Sequence, residues 1–364
     1  MGGRIYSIDS MRIVAMAFIV MIHTDPFRGV GAYGNVVNFV IDTSARFAVP
    51  FFFVTAGYFF ALKIAERDPT RYLARRIATI SSFYVFGLLL SVPVFLTRTA
   101  VRASVDGESL VSNVAARSVE FVSPLELVYY GDSVSEILWF LPALAFSLAL
   151  IYVFVEVGAD GYVLPVALVL HVVGLLGTSY TMFVDVAFPT RDALFFGFFY
   201  TGLGYHIYSS GWQPRADRSA RYLSATLLFG ALHLGERYVL GYVLTGETFQ
   251  QGVYTASYTI TTALLTIGLF AFLLSKPNLG NATPLPAWGH YAVGIYVVHP
   301  AVLSALNGLG NALDAAGYDA TGSIPWHLAL TPATFFGALL VYLGAYRVGV
   351  LEIGEAPSLR PDRF

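Results

Sequence analysis

The feature that most restricts this chain is the recurrence of apolar windows of roughly 20 residues, about ten of them, along nearly its whole length. A helix of that length matches the hydrocarbon thickness of a bilayer. In lipid the backbone finds no water to bond, so each window must be helical. The windows fall at 5–24, 46–62, 77–96, 137–156, 161–178, 193–210, 219–236, 253–275, 287–306 and 330–351. The expected fold is all-α: a polytopic membrane protein with about ten transmembrane helices, forming one domain over residues 1–364. The first window contains Asp9 and Arg12 and lacks a small-residue cleavage site, so it reads as a span and not as a secretory signal.

Charge composition narrows the function. Only 12% of the residues are charged, against about 25% in an average soluble protein. With 21 Lys and Arg against 23 Asp and Glu, the net charge of −2 supplies no field for a nucleic-acid partner. The chain has no cysteine, so any nucleophile must be oxygen or nitrogen. His171, His206, His233, His290 and His327 show no ligand spacing, and neither a structural metal nor a bound cofactor is expected.

Lys and Arg in short loops set the sidedness. Lys63, Arg67, Arg71, Arg75 and Arg76 follow the second window, and Arg215, Arg218 and Arg221 follow the sixth. Both loops are expected in the cytoplasm. The acidic insertion 97–136 and the loop with Asp314 and Asp319 then lie outside, and an even span count puts both termini in the cytoplasm. Arg191 with Asp192, and Glu236 with Arg237, read as charges at the membrane interface. Gly197, Gly202 and Gly204 read as packing positions.

Ionisable groups inside apolar helices cost roughly 2.5 to 3.5 kcal/mol each, so they require a reason. The first window has Asp9, Arg12 and His23. Eleven residues separate Arg12 from His23, which places them on one helix face about 16.5 Å apart. Asp9 precedes Arg12 by three residues and can pair with it. One reading is a polar cavity along this face, from an anion site at Arg12 to His23 as base or nucleophile. The plainer reading is an ion pair at one membrane surface and a snorkelling His23 at the other.

The string IDSMRIVAMAFIVMIH, residues 8–23, resembles the opening of the membrane-bound acyltransferase 3 family, with its Leu-Asp-x-x-Arg and Arg-x10-His motifs at Asp9, Arg12 and His23. RFAVPFFFVTAGYFF, residues 46–60, is similar to that family's second block at Arg46, Pro50, Phe52, Phe53, Gly57 and Tyr58. Ala56 stands where the family has serine, with the Thr55 hydroxyl beside it. LARRIATISSFY matches the family's arginine motif at Arg75 and Arg76 and departs from it at Thr79 and Ser82. ILWFLPALA, containing Trp139, and YAVGIYVVHP, containing His299, complete five blocks in the family's order.

The resemblance implies an integral acyltransferase of the cell membrane. It would move an acyl group, often acetyl, from cytoplasmic acyl-coenzyme A as co-substrate to a hydroxyl of a surface glycan or lipid-linked sugar. Its partners would be that donor, that acceptor and membrane lipids. His23 would take the hydroxyl proton or carry the acyl group. Arg12 would bind donor phosphate with Asp9 holding its guanidinium, and Arg75 and Arg76 would attract the donor at the cytoplasmic mouth. Arg46, Tyr58, Trp139 and His299 would surround the acceptor or support the groups that touch it. The competing reading is a transporter or flippase for a lipid-linked sugar, its path lined by Asp9, Arg12 and His23.

Overall fold

A computed structural model describes residues 4–106, 124–131, 135–184 and 190–349, together with positions 109, 186 and 188. Among these residues the regular structure is all helical, with no strand. The helices are α1 (Tyr6–Thr24), α2 (Gly31–Ala45), α3 (Ala48–Ile64), α4 (Pro69–Asp106), α5 (Phe140–Glu156), α6 (Val163–Thr178), α7 (Phe198–Ser209), α8 (Ser219–Tyr238), α9 (Ile260–Ser275), the short α10 (Leu285–Trp288), α11 (Ala292–Ala315) and α12 (Ile324–Arg347).

Six helical segments are long and apolar enough to cross a bilayer: Tyr6–Thr24, Gly31–Ile64, Pro69–Thr97, Asp160–Thr178, Leu285–Ala315 and Ile324–Arg347. α5 and α9 are shorter and equally apolar. The windows at 193–210 and 219–236 are helical too, but differ from a plain apolar span. α7 has only 12 residues and is extended at its start by a wide π-turn, Ala193–Gly197. α8 turns Thr226, His233 and Arg237 inward while Leu227 and Leu228 stay 66% and 57% exposed. Polar residues inside and leucines outside suit a helix whose outer solvent is lipid. Leu89 and Leu340, 66% and 69% exposed, repeat that pattern on α4 and α12. The chain is a membrane protein.

α2 has no counterpart among the apolar windows. Asn35, Asn38 and Asp42 lower its hydropathy, and all three are buried. Part of the insertion expected at 97–136 is the far end of α4, which runs to Asp106. Most of the remainder, and the C-terminal residues 350–364, lie outside the described residues.

α1 lies at the centre, in contact with α2, α3, α9, α10, α11 and α12. Half of its apolar window is buried, against 22% for α4 and α12, which form the lipid-facing wall. The helix stops at Asp25, which takes the left-handed conformation (φ 45°) just before Pro26. α3 runs antiparallel to α1, since Phe47 meets Phe18 while Phe59 lies under Arg12. α3 and α7 cross at backbone contact. A Cβ on Gly57 would stand 1.9 Å from the Thr201 carbonyl oxygen, and one on Gly204 2.0 Å from that of Val54. Only glycine permits that approach.

Candidate functional site

One end of α1 is a cationic cluster built on a single carboxylate. Asp9 accepts from Arg4 Nε at 2.7 Å and from Arg12 Nη1 at 3.0 Å. Arg4 also reaches the Pro286 carbonyl and His290 Nε2, each at 3.0 Å. The Arg12 guanidinium lies 5.3 Å above the Phe59 ring, within the fields of Arg4 and Arg76. Three positive groups thus converge where Asp9 supplies one negative charge. Arg75 and Arg76 are solvent-exposed. Arg4 was not legible as a member, because it precedes the apolar window.

At the other end of α1 stands His23, with His299 of α11 beside it at 5.5 Å between ring centroids and a tilt of 37°. His299 is fully buried. Its Nδ1 is 2.7 Å from the Tyr296 carbonyl oxygen and 3.3 Å from that of Ile295. The local cause is Pro300, which has no amide to give to the carbonyl of Tyr296 four residues earlier. Its Nε2 has no hydrogen-bond partner among the described residues. The fields of Arg46 and Arg191 also act on His23. Arg191 lies 5.3 Å above the Trp139 ring.

Arg46 is oriented by a buried charge network. Asp42 takes Arg46 Nη2 at 2.7 Å and Nε at 3.0 Å on one side, and Arg237 Nη2 at 2.9 Å on the other. Arg237 is fully buried and also donates to Thr43 Oγ1 at 3.0 Å, to the Tyr254 carbonyl at 3.1 Å and to that of Ala256. The expectation of an interface charge at Arg237 is therefore corrected. An unpaired guanidinium is too costly to bury, and Asp42, 195 residues away in sequence, makes the burial possible. Arg191 is exposed, and its field reaches His23. Its neighbour Asp192 turns away to cap the amides of Leu194 and Phe195, at 2.9 and 3.0 Å, and to accept from Tyr129 at 3.0 Å. Burial holds the Asp192 carboxyl above its ordinary value, against the pull of those three hydrogen bonds.

Beside the middle of α1, between Arg12 and His23 along the helix, lies a small apolar cavity. Its volume is about 20 Å³, and Met16, Ile19, Val49, Phe52, Phe140 and Tyr296 are among the side chains around it. That is room for about one water molecule, with no polar surface to hold it. Tyr58 departs from expectation. It lies twelve residues along α3 from Arg46, about 18 Å by helical rise, toward the Arg12 end. There it meets Tyr208 and Phe270 at 5.5 Å and lines a cavity of about 520 Å³ with Tyr205, Trp212 and Gln213. The Thr55 hydroxyl beside Ala56 is buried and has no partner among the described residues.

The arrangement sets a cationic cluster at one end of α1, a pair of imidazoles at the other, and a small apolar cavity beside the helix between them. The chain matches the family model of the acyltransferase domain of the acyltransferase 3 family over residues 5–343. Two similar curated proteins are amino-acid racemases of Enterococcus faecalis. One is 27% identical over 239 residues, covering 61% of this chain and 30% of the racemase. The other is 26% identical over 249 residues, covering 63% and 33%. The chain thus spans about a third of the length of these relatives. No solved structure matches it.

Proposed function

We propose, since the chain belongs to the acyltransferase 3 family, that it is a cell-membrane enzyme moving an acyl group, acetyl in the simplest case, from cytoplasmic acyl-coenzyme A to a hydroxyl of a surface glycan or lipid-linked sugar. The observation that carries this reading is the pairing of a cationic end and an imidazole end on one central helix.

In this reading the Arg12 end faces the cytoplasm, with Arg75 and Arg76 at its mouth, and binds the donor's phosphates. Charge-assisted bonds from a guanidinium held by Asp9 suit that task. The donor's linear thioester arm is the slimmest part of either substrate, and in this reading it passes beside α1 through the small apolar cavity, where Met16, flexible and apolar, can give way. His23 then meets the acyl group, with the fields of Arg46 and Arg191 available to stabilise the oxyanion of the tetrahedral intermediate.

The test is mass spectrometry of surface glycans and lipids from cells with and without the gene. The reading predicts one molecule that loses one acyl mass in the deletion and regains it on complementation. Identical acylation in both strains contradicts it.

A further inference from the structure

We infer that His299 is the base of this site and that His23 is the group that carries the acyl chain. The inference rests on the acyl-transfer reading above and divides the chemistry between two imidazoles.

The division follows from what each ring nitrogen can do. A carbonyl oxygen only accepts, so His299 Nδ1, at 2.7 Å from the Tyr296 carbonyl, must carry a proton. In the neutral ring that leaves Nε2 as a lone pair. This lone pair is buried and has no donor among the described residues. A buried acceptor without a partner is costly, so the site maintains it against that cost. The ring opposite is His23, at 5.5 Å between centroids. His23 differs: it is only partly buried, and it makes no hydrogen bond among the described residues. One imidazole is placed to attack. The other lies beside it, locked in one tautomer with a basic nitrogen.

The steps balance as follows. A His23 nitrogen attacks the thioester carbonyl carbon, the N–C bond forms, and the C–S bond breaks with its electron pair leaving on sulfur. The ring proton of His23 passes to His299 Nε2 and from there to the thiolate, giving free thiol and acyl-His23. The acceptor hydroxyl then attacks the acyl carbon and its proton passes to His299 Nε2. As the C–N bond breaks, that proton returns to His23, and both rings end neutral.

The experiment uses the full chain in nanodiscs with acetyl-coenzyme A and isotopically labelled coenzyme A, and no acceptor. A covalent half-reaction exchanges label between the two. The wild type is expected to exchange, and His23→Ala to abolish exchange. His299→Gln is expected to lower its rate about 100-fold, the range of a lost general base, with KM for acetyl-coenzyme A unchanged and the rate's pH dependence flattened. Glutamine keeps a donor for the Tyr296 carbonyl and removes only the basic nitrogen, so a merely structural His299 would be rescued by it. Wild-type exchange and pH dependence in folded, monodisperse His299→Gln overturn the inference and leave acyl transfer intact. A wild type that acylates glycan in cells yet never exchanges overturns the covalent step. A wild type that does neither overturns acyl transfer itself.

Discussion

His299 and Tyr296 are tied within one helical turn: the Nδ1 of the first stands 2.7 Å from the carbonyl oxygen of the second, because Pro300 leaves that carbonyl without its amide. The proline thereby fixes the tautomer of the histidine that faces His23. Pro300→Ala restores the amide and puts it in competition with the imidazole. The variant is expected to melt at the same or a higher temperature and to transfer acyl groups about 10-fold more slowly, a barrier change of about 1.4 kcal/mol. Unchanged turnover at unchanged stability would show that the carbonyl does not set the tautomer.

Arg12 and Asp9 make a donor-binding prediction. A bond from a charged donor contributes about 1.5 to 3 kcal/mol, so Arg12→Ala should raise KM for acyl-coenzyme A roughly 10- to 100-fold. Arg12→Lys keeps the charge but loses the forked geometry, and is expected to recover only part of the loss. Initial-rate kinetics in nanodiscs at varied donor concentration read both effects. A KM that does not move in Arg12→Ala removes the residue from the donor site.

Asp42 holds two guanidinium groups, one of them fully buried. Asp42→Asn strands the Arg237 charge, which is expected to cost about 3 to 5 kcal/mol and to lower the melting temperature in detergent. Removing Arg237 together with Asp42, as Asp42→Asn with Arg237→Met, should recover much of that stability. Thermal unfolding of the two variants checks this, and equal melting temperatures would contradict the coupling.

The α3–α7 crossing predicts a contrast between glycines. Gly57→Ala places a methyl 1.9 Å from the Thr201 carbonyl oxygen, whereas Gly235→Ala meets nothing within 4 Å. The first is expected to lose at least about 1 to 3 kcal/mol of stability and the second to be neutral or slightly stabilising. Comparable melting curves would mean that the two helices do not cross so closely.

Asp9, Arg12 and His23 were legible in the sequence because charge inside an apolar window demands a reason, and helical spacing alone puts Arg12 and His23 on one face. The helical membrane fold was legible from hydropathy for the same reason. α2 was not, since its buried Asn35, Asn38 and Asp42 make it look like a loop to a hydropathy window. Nor was the Asp42–Arg237 pair, whose members meet only when α2 packs on α8. Tyr58 shared a motif with Arg46 but not a location, because twelve helical residues carry it toward the opposite end of the bundle. The small apolar cavity beside α1 is lined from four helices, and no local pattern announces it.

The central claim is that His23 is where the acyl group is handled. Transfer of labelled acetyl from acetyl-coenzyme A into the surface glycan and lipid fraction, compared between wild type and His23→Ala at matched membrane levels, tests it most directly. The account predicts incorporation in the wild type and a loss of at least about 100-fold in the variant with its melting temperature preserved. Wild-type incorporation by folded His23→Ala would contradict it.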